Sequence, residues 1–229
     1  MITSKLVVNN NNELQEVGSP HKFHPAIKTA ATFLSYLFHP VFVPVYVIAF
    51  LLFVQPFLFV GYENKQKILV LAQATLMFTF FPLVSVALLR ALKFISSIKL
   101  KERKDRIIPF IICNIWYFWI WYVWRNLPDM PREAIVFAMS VFLASSIGLL
   151  FNIYMKISMH AIAIGTAIAF LCGLSFQYDI SFGLYLSVAM LIGGAVATSR
   201  LILNDHHPAE IYWGIAIGVL AVVLANIFN

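Results

Sequence analysis

Residues 133–154 read EAIVFAMSVFLASSIGLLFNIY. Beyond Glu133 the stretch holds no acidic or basic side chain, and it exceeds the roughly 20 apolar residues that a helix needs to cross a hydrocarbon core about 30 Å thick. In lipid every backbone N–H and C=O must be satisfied within the segment or in a closed barrel, and apolarity without period-two alternation selects the helix. The same pattern recurs over 33–60, 68–92, 107–125, 159–177, 181–203 and 209–228. The chain therefore reads as all-α, a polytopic transmembrane helix bundle with six or seven spans. The count turns on 33–60, which is long and carries Pro40, Pro44 and Pro56, residues that kink or split a helix. Residues 1–30 form a polar N-terminal tail expected to be disordered or loosely interfacial, and 31–229 form the membrane domain.

Composition agrees. Of the 229 residues, 61% are apolar, 15% aromatic and only 11% charged, with a mean hydropathy of +0.85. The net charge of +6 does not point to nucleic acid, because the basic residues sit in short loops between apolar runs and form no free-standing basic patch. Cys113 and Cys172 each lie inside an apolar run without a metal-ligand spacing and read as small buried hydrophobes. The aromatic crowd between Trp116 and Trp124 reads as a packing surface and interfacial belt. Gly193 and Gly194 read as a site of close helix contact. The first thirty residues lack the apolar core and cleavage site of a signal peptide.

Counting seven crossings places twelve of the sixteen Lys and Arg residues on one side of the membrane. The positive-inside rule makes that side cytoplasmic, and the expected location is a bacterial inner membrane. Three polar segments fall on this same side: KLKERKDRIIP at 99–109, KISMHA at 156–161 and SRLILNDHHPAE at 199–210. Ionisable groups near a bilayer are costly unless they serve water, protein or a ligand, so their convergence marks a site. Together they offer the cations Lys99, Arg106 and Arg200, the imidazoles His160 and His206, the Ser158 hydroxyl and the Glu210 carboxylate. Guanidinium forks and ammonium groups suit phosphate oxygens, and a histidine pair can divide nucleophilic and acid–base duties.

These residues resemble the type-2 phosphatidic acid phosphatase superfamily, whose motifs are K-x6-R-P, P-S-G-H and S-R-x5-H-x3-D. Lys99 and Arg106 match the first, Ser158 and His160 the second, and Ser199, Arg200, His206 and Glu210 the third. The resemblance implies a hydrolase that needs no metal or other cofactor and acts on a lipid phosphate through a phosphohistidine on His206. It implies that His160 serves as acid and then base, that Glu210 orients His206, and that Lys99, Arg106, Ser158 and Arg200 hold phosphate oxygens. The chain departs from the pattern at Ile107, Ile157 and Met159, which replace Pro, Pro and Gly, and at Glu210, one methylene longer than Asp. Asp205 beside His206 adds a charge that opposes an anionic substrate if it faces the site.

Competing readings stay open at this point. His207 is a second candidate nucleophile, three residues from Glu210 rather than four. Glu210 could simply cap the last helix, where Pro208 fits the first turn and the dipole favours a carboxylate. Phosphatidic acid, phosphatidylglycerol phosphate, lipid A phosphate and polyprenyl diphosphate all satisfy the same cationic site. A non-catalytic lipid-phosphate binder or transporter, and a haem protein with paired histidine ligands, are the rival classes.

Overall fold

The computed structural model describes residues 4–8, 14–18, 23–95, 103–178 and 182–229. Among them, six helices are long and apolar enough to cross a membrane: Asn64–Ala91, Asp105–Arg125, Arg132–Tyr154, Met159–Gln177, Gly183–Ile202 and Pro208–Phe228. The chain is a multi-pass membrane bundle of the all-α class.

The 33–60 run is not one helix. Helix α1 spans Pro25–Leu37, α2 spans Val43–Phe53, and a 3-10 turn covers Pro56–Phe59. Pro40 disfavours helical geometry at His39, Pro44 sits in the first turn of α2, and Pro56 opens the 3-10 turn, so each break falls at a proline. The segment still travels the length of the bundle. His39 lies against His160, with ring centroids 5.5 Å apart, whereas the Tyr62 hydroxyl donates to the Asp129 carbonyl at 2.8 Å at the opposite end. Among the described residues, then, six long helices and one broken segment run between the two ends of the bundle.

Asn64–Ala91 consists of α3 (Asn64–Thr75) and α4 (Phe81–Ala91) joined by a π turn over Leu76–Phe80. Pro82 cannot donate a backbone hydrogen bond, and the widened turn just ahead of it absorbs the defect. Helices α5 (Arg103–Arg125), α6 (Arg132–Tyr154), α7 (Met159–Gln177), α8 (Gly183–Ile202) and α9 (Pro208–Phe228) complete the bundle. Helix α6 packs on α5, α7 and α9, while α1 lies against α8. Ser4–Val8 pairs antiparallel with Leu14–Gly18, where Val7, Val8 and Val17 favour extended backbone, and α1 already begins at Pro25. The rest of the tail lies outside the described residues.

Two tryptophans of α5 are packing groups, while Trp119 is exposed. Trp124 is fully buried and its indole donates to Gln73 at 2.9 Å; Trp116 donates to Ser85 at 3.1 Å. These bonds tie α5 to α3 and α4 in a medium where lipid supplies no competing partner. Cys113 and Cys172 are free and partly buried.

Helices α7 and α9 run parallel with their backbones nearly touching. A Cβ on Gly218 would lie 2.4 Å from the Thr166 nitrogen, one on Gly165 would lie 2.8 Å from the Ile215 Cα, and one on Gly214 would lie 2.8 Å from the Ala161 Cβ. On α8, Gly193 likewise meets Ile164 and Ile168, whereas Gly194 faces open space. Gly218→Ala is expected to destabilise the detergent-solubilised protein by about 1–3 kcal/mol through forced separation of two backbones. Gly194→Ala is expected to leave stability unchanged or raise it by about 0.4–1 kcal/mol. Thermal unfolding of the two variants side by side checks the pair.

Candidate functional site

The close α7–α9 contact sets two helix N-termini side by side. The Ser158 amide donates to the Glu210 carbonyl at 3.4 Å, linking their first turns. Helix α5 begins at the same end, since the Arg106 guanidinium, 5% exposed, donates to the Ile157 carbonyl at 2.8 Å. Three helix N-termini therefore converge, and their dipoles favour negative charge.

Helix α8 reaches this end with its C-terminus. Asn204, at φ 52, takes the left-handed conformation that asparagine tolerates at helix ends, and the chain folds back so that the Asp205 amide donates to the Arg200 carbonyl at 3.2 Å. His206 follows immediately. Its Nδ1 lies 2.7 Å from the Glu210 carboxylate, and the residue is 8% exposed. The same carboxylate oxygen accepts the His207 backbone amide at 3.3 Å. One Glu210 oxygen thus meets both the cap amide of α9 and the His206 ring. His207 is exposed and is spent as the cap residue of α9.

Imidazole His206 pairs with a carboxylate, so Nδ1 carries the proton and Nε2 keeps its lone pair. Burial pushes the imidazole below the usual histidine range; the hydrogen bond to Glu210 opposes that and the Arg106 charge adds to it. At neutral pH the ring is a neutral nucleophile or base.

A cavity of about 640 Å³ opens beside these residues, lined at its polar end by Arg106, Lys156, His160, Arg200, Asp205 and His206. His160 Nε2 lies 3.0 Å from the Ser35 carbonyl; a carbonyl only accepts, so Nε2 donates and Nδ1 is left for chemistry. Arg200 donates to the Ser35 hydroxyl at 3.1 Å and forms an ion pair with Asp205 at 2.7 Å. Lys156 donates to the Asp205 carbonyl at 3.0 Å. Asp205 therefore does face the site, and it occupies one edge of the Arg200 fork.

Of the residues singled out in the sequence, Arg106, His160, Arg200 and His206 line one cavity, with Glu210 behind His206. Ser158 is elsewhere: it is fully buried, its hydroxyl accepts the Ala161 amide at 3.4 Å as the cap of α7, and it does not line the cavity. Lys99 lies outside the described residues. Three contributors had no motif to announce them, namely Ser35, His39 and Lys156. A histidine inside an apolar run is itself a signal, and His39 keeps a buried Nδ1 without a hydrogen-bond partner. Among the described residues no three His, Cys, Asp or Glu side chains come together as a metal-binding group.

Comparison of the chain with protein-family models, with curated proteins and with solved structures finds no match.

In the native protein, a titration of His206 followed by NMR of labelled histidine is expected to show a midpoint below the ordinary value of about 6.5. Both contributions of Glu210 favour the imidazolium, so Glu210→Gln is expected to lower the midpoint further. An upward shift in the variant contradicts this assignment of forces.

Proposed function

We propose that the protein is a lipid-phosphate phosphatase working through a phosphohistidine on His206. The observation that carries this reading is the Glu210–His206 pair at 2.7 Å at the mouth of a cavity shared with Arg106 and Arg200. Such a pair fixes the imidazole tautomer and stabilises the cation that forms as the ring attacks. The resemblance to type-2 phosphatidic acid phosphatases, carried by the three motifs, points the same way.

In this mechanism Arg106 and Arg200 hold the non-bridging oxygens, assisted by the α7 and α9 dipoles, while charge redistributes around phosphorus. His206 Nε2 forms a bond to phosphorus as the bond to the lipid oxygen breaks. With Nε2 held by the Ser35 carbonyl, the free Nδ1 of His160 takes the proton of the phosphate monoanion and passes it to the leaving oxygen. Water, deprotonated by His160, then attacks the phosphohistidine and releases inorganic phosphate and neutral His206. Lys156, one turn of loop ahead of α7, supplies a further cation. Lys99 belongs to the same set on the strength of its motif.

A second reading has its own support. The Arg200–Asp205 pair gives an incoming phosphate a competitor, which suits a binder or transporter that holds lipid phosphate without turning it over. The motif face is assigned to the cytoplasm, in a bacterial inner membrane, on the charge asymmetry.

Purified protein in detergent, supplied with a panel of lipid phosphates, is expected to release inorganic phosphate in the presence of EDTA. His206→Ala should reduce turnover by about 10³-fold or more and Glu210→Ala by about 10²-fold or more. Folded native protein that binds the panel without releasing phosphate would establish the binder instead. Asp205→Asn should tighten the binding of vanadate or inorganic phosphate by freeing Arg200; unchanged affinity removes Arg200 from the phosphate site. Lys93→Cys should be shielded from an impermeant maleimide added outside intact cells, and Asn126→Cys should react; the opposite pattern reverses the orientation.

A further inference from the structure

The cavity that begins at the cations does not stop at the membrane face. Its deeper wall is apolar and includes Val41 and Pro44 beside α2, Tyr117 of α5, Phe137 and Val141 of α6, and Thr166 of α7. Tyr117 follows Arg106 by eleven residues on α5, which is about 16 Å at the helical rise, roughly half the thickness of a bilayer core. Aromatic pairs close the floor: Phe78 packs against Tyr117 with centroids 5.7 Å apart, and Phe137 against Phe170 at 4.8 Å. The Thr79 hydroxyl, in the π turn, donates to the Val41 carbonyl at 2.6 Å and pins the broken segment to α3 at this depth. The slot is thus blind, and it is about one leaflet deep.

Its capacity is limited. An engineered cavity of about 150 Å³ holds benzene, so 640 Å³ accommodates roughly 25 non-hydrogen atoms. A phosphate group and one leaflet-length chain fill that space; a lipid with two such chains needs about twice as much. The Thr166 hydroxyl is already satisfied, donating to the Ile162 carbonyl at 2.9 Å, and beside it and the Tyr117 and Ser145 hydroxyls the lower wall offers mainly hydrocarbon.

We propose that this slot is a tail-binding site for a single hydrocarbon chain, and that the ligand is a one-chain amphiphile bearing a terminal phosphate rather than a diacyl phospholipid. The inference rests on the lipid-phosphate reading for its headgroup and on the blind apolar slot for its chain. Phosphate contacts Arg106, Arg200 and His206, and the chain runs down between α2, α5, α6 and α7 toward Tyr117 and Phe137.

The test uses the full-length protein in nanodiscs and a non-hydrolysable dodecyl phosphonate with a photoactivatable diazirine on its last carbon. Irradiation followed by peptide mapping is expected to label segments around Tyr117 and Phe137, and excess unlabelled dodecyl phosphonate should abolish the labelling. Excess dioleoyl phosphatidate should compete at least tenfold more weakly. Labelling confined to the outer, lipid-facing surface of the helices overturns the slot, as does equal competition by phosphatidate. Phosphate release measured in parallel separates the two claims: floor labelling without hydrolysis keeps the tail site and rejects the phosphatase, and hydrolysis without floor labelling does the reverse.

Discussion

The contact between α7 and α9 is the constraint on which the rest depends. Lipid tails are as apolar as leucine, so helices in a bilayer associate through close packing and polar ties rather than through the hydrophobic effect. Here Gly165, Gly214 and Gly218 let two backbones meet. Because the pair is parallel, both helices present amino ends to the same membrane face, with His160 in the first turn of one and His206 just ahead of the other. The two histidines belong to one site because of glycines several residues deeper in the membrane.

Around that site each cation among the described residues already has an oxygen partner. Arg106 is bonded to Ile157, Arg200 to Ser35 and Asp205, and Lys156 to the Asp205 backbone. Burying charge is costly unless it is paired and hydrogen-bonded, and these contacts meet much of that cost, although the Arg200 Nε stays buried without a partner. Under the proposed function, a phosphate would meet the open Arg200 Nε and displace the oxygens that now hold the rest of the fork. Such exchange trades affinity for discrimination, since only a group that replaces the displaced oxygens with good geometry would be held.

Much of this was legible in the chain. Apolar runs such as 133–154 announced the spans, because that pattern is local and helical, whereas the His206–Glu210 contact was only implied by the resemblance and forms with His206 just ahead of α9. Arg106, His160 and Arg200 were brought together by counting crossings, an argument that needs no side-chain detail. The counting could not see that Ser158 would spend its hydroxyl capping α7, since a cap and a phosphate ligand draw on the same oxygen. Nor could it recover Ser35 and His39, whose approach depends on a proline break and on which helix α1 lies against. Lys156 opens the KISMHA segment but belongs to no motif, and its bond to the Asp205 backbone and its place in the cavity wall emerge only in the folded chain.

The break between α1 and α2 also has a consequence for how the molecule is made. Ser35 touches Arg200 across 165 residues of sequence. At about 5–20 residues per second, synthesis leaves the first membrane segment waiting roughly ten to thirty seconds for that partner. Until α8 and α9 are inserted, Arg200, His206 and Glu210 are missing from the polar end of the cavity. A chain released early by a stalled ribosome carries only part of that wall, so the arrangement makes completeness of translation a condition for assembling it.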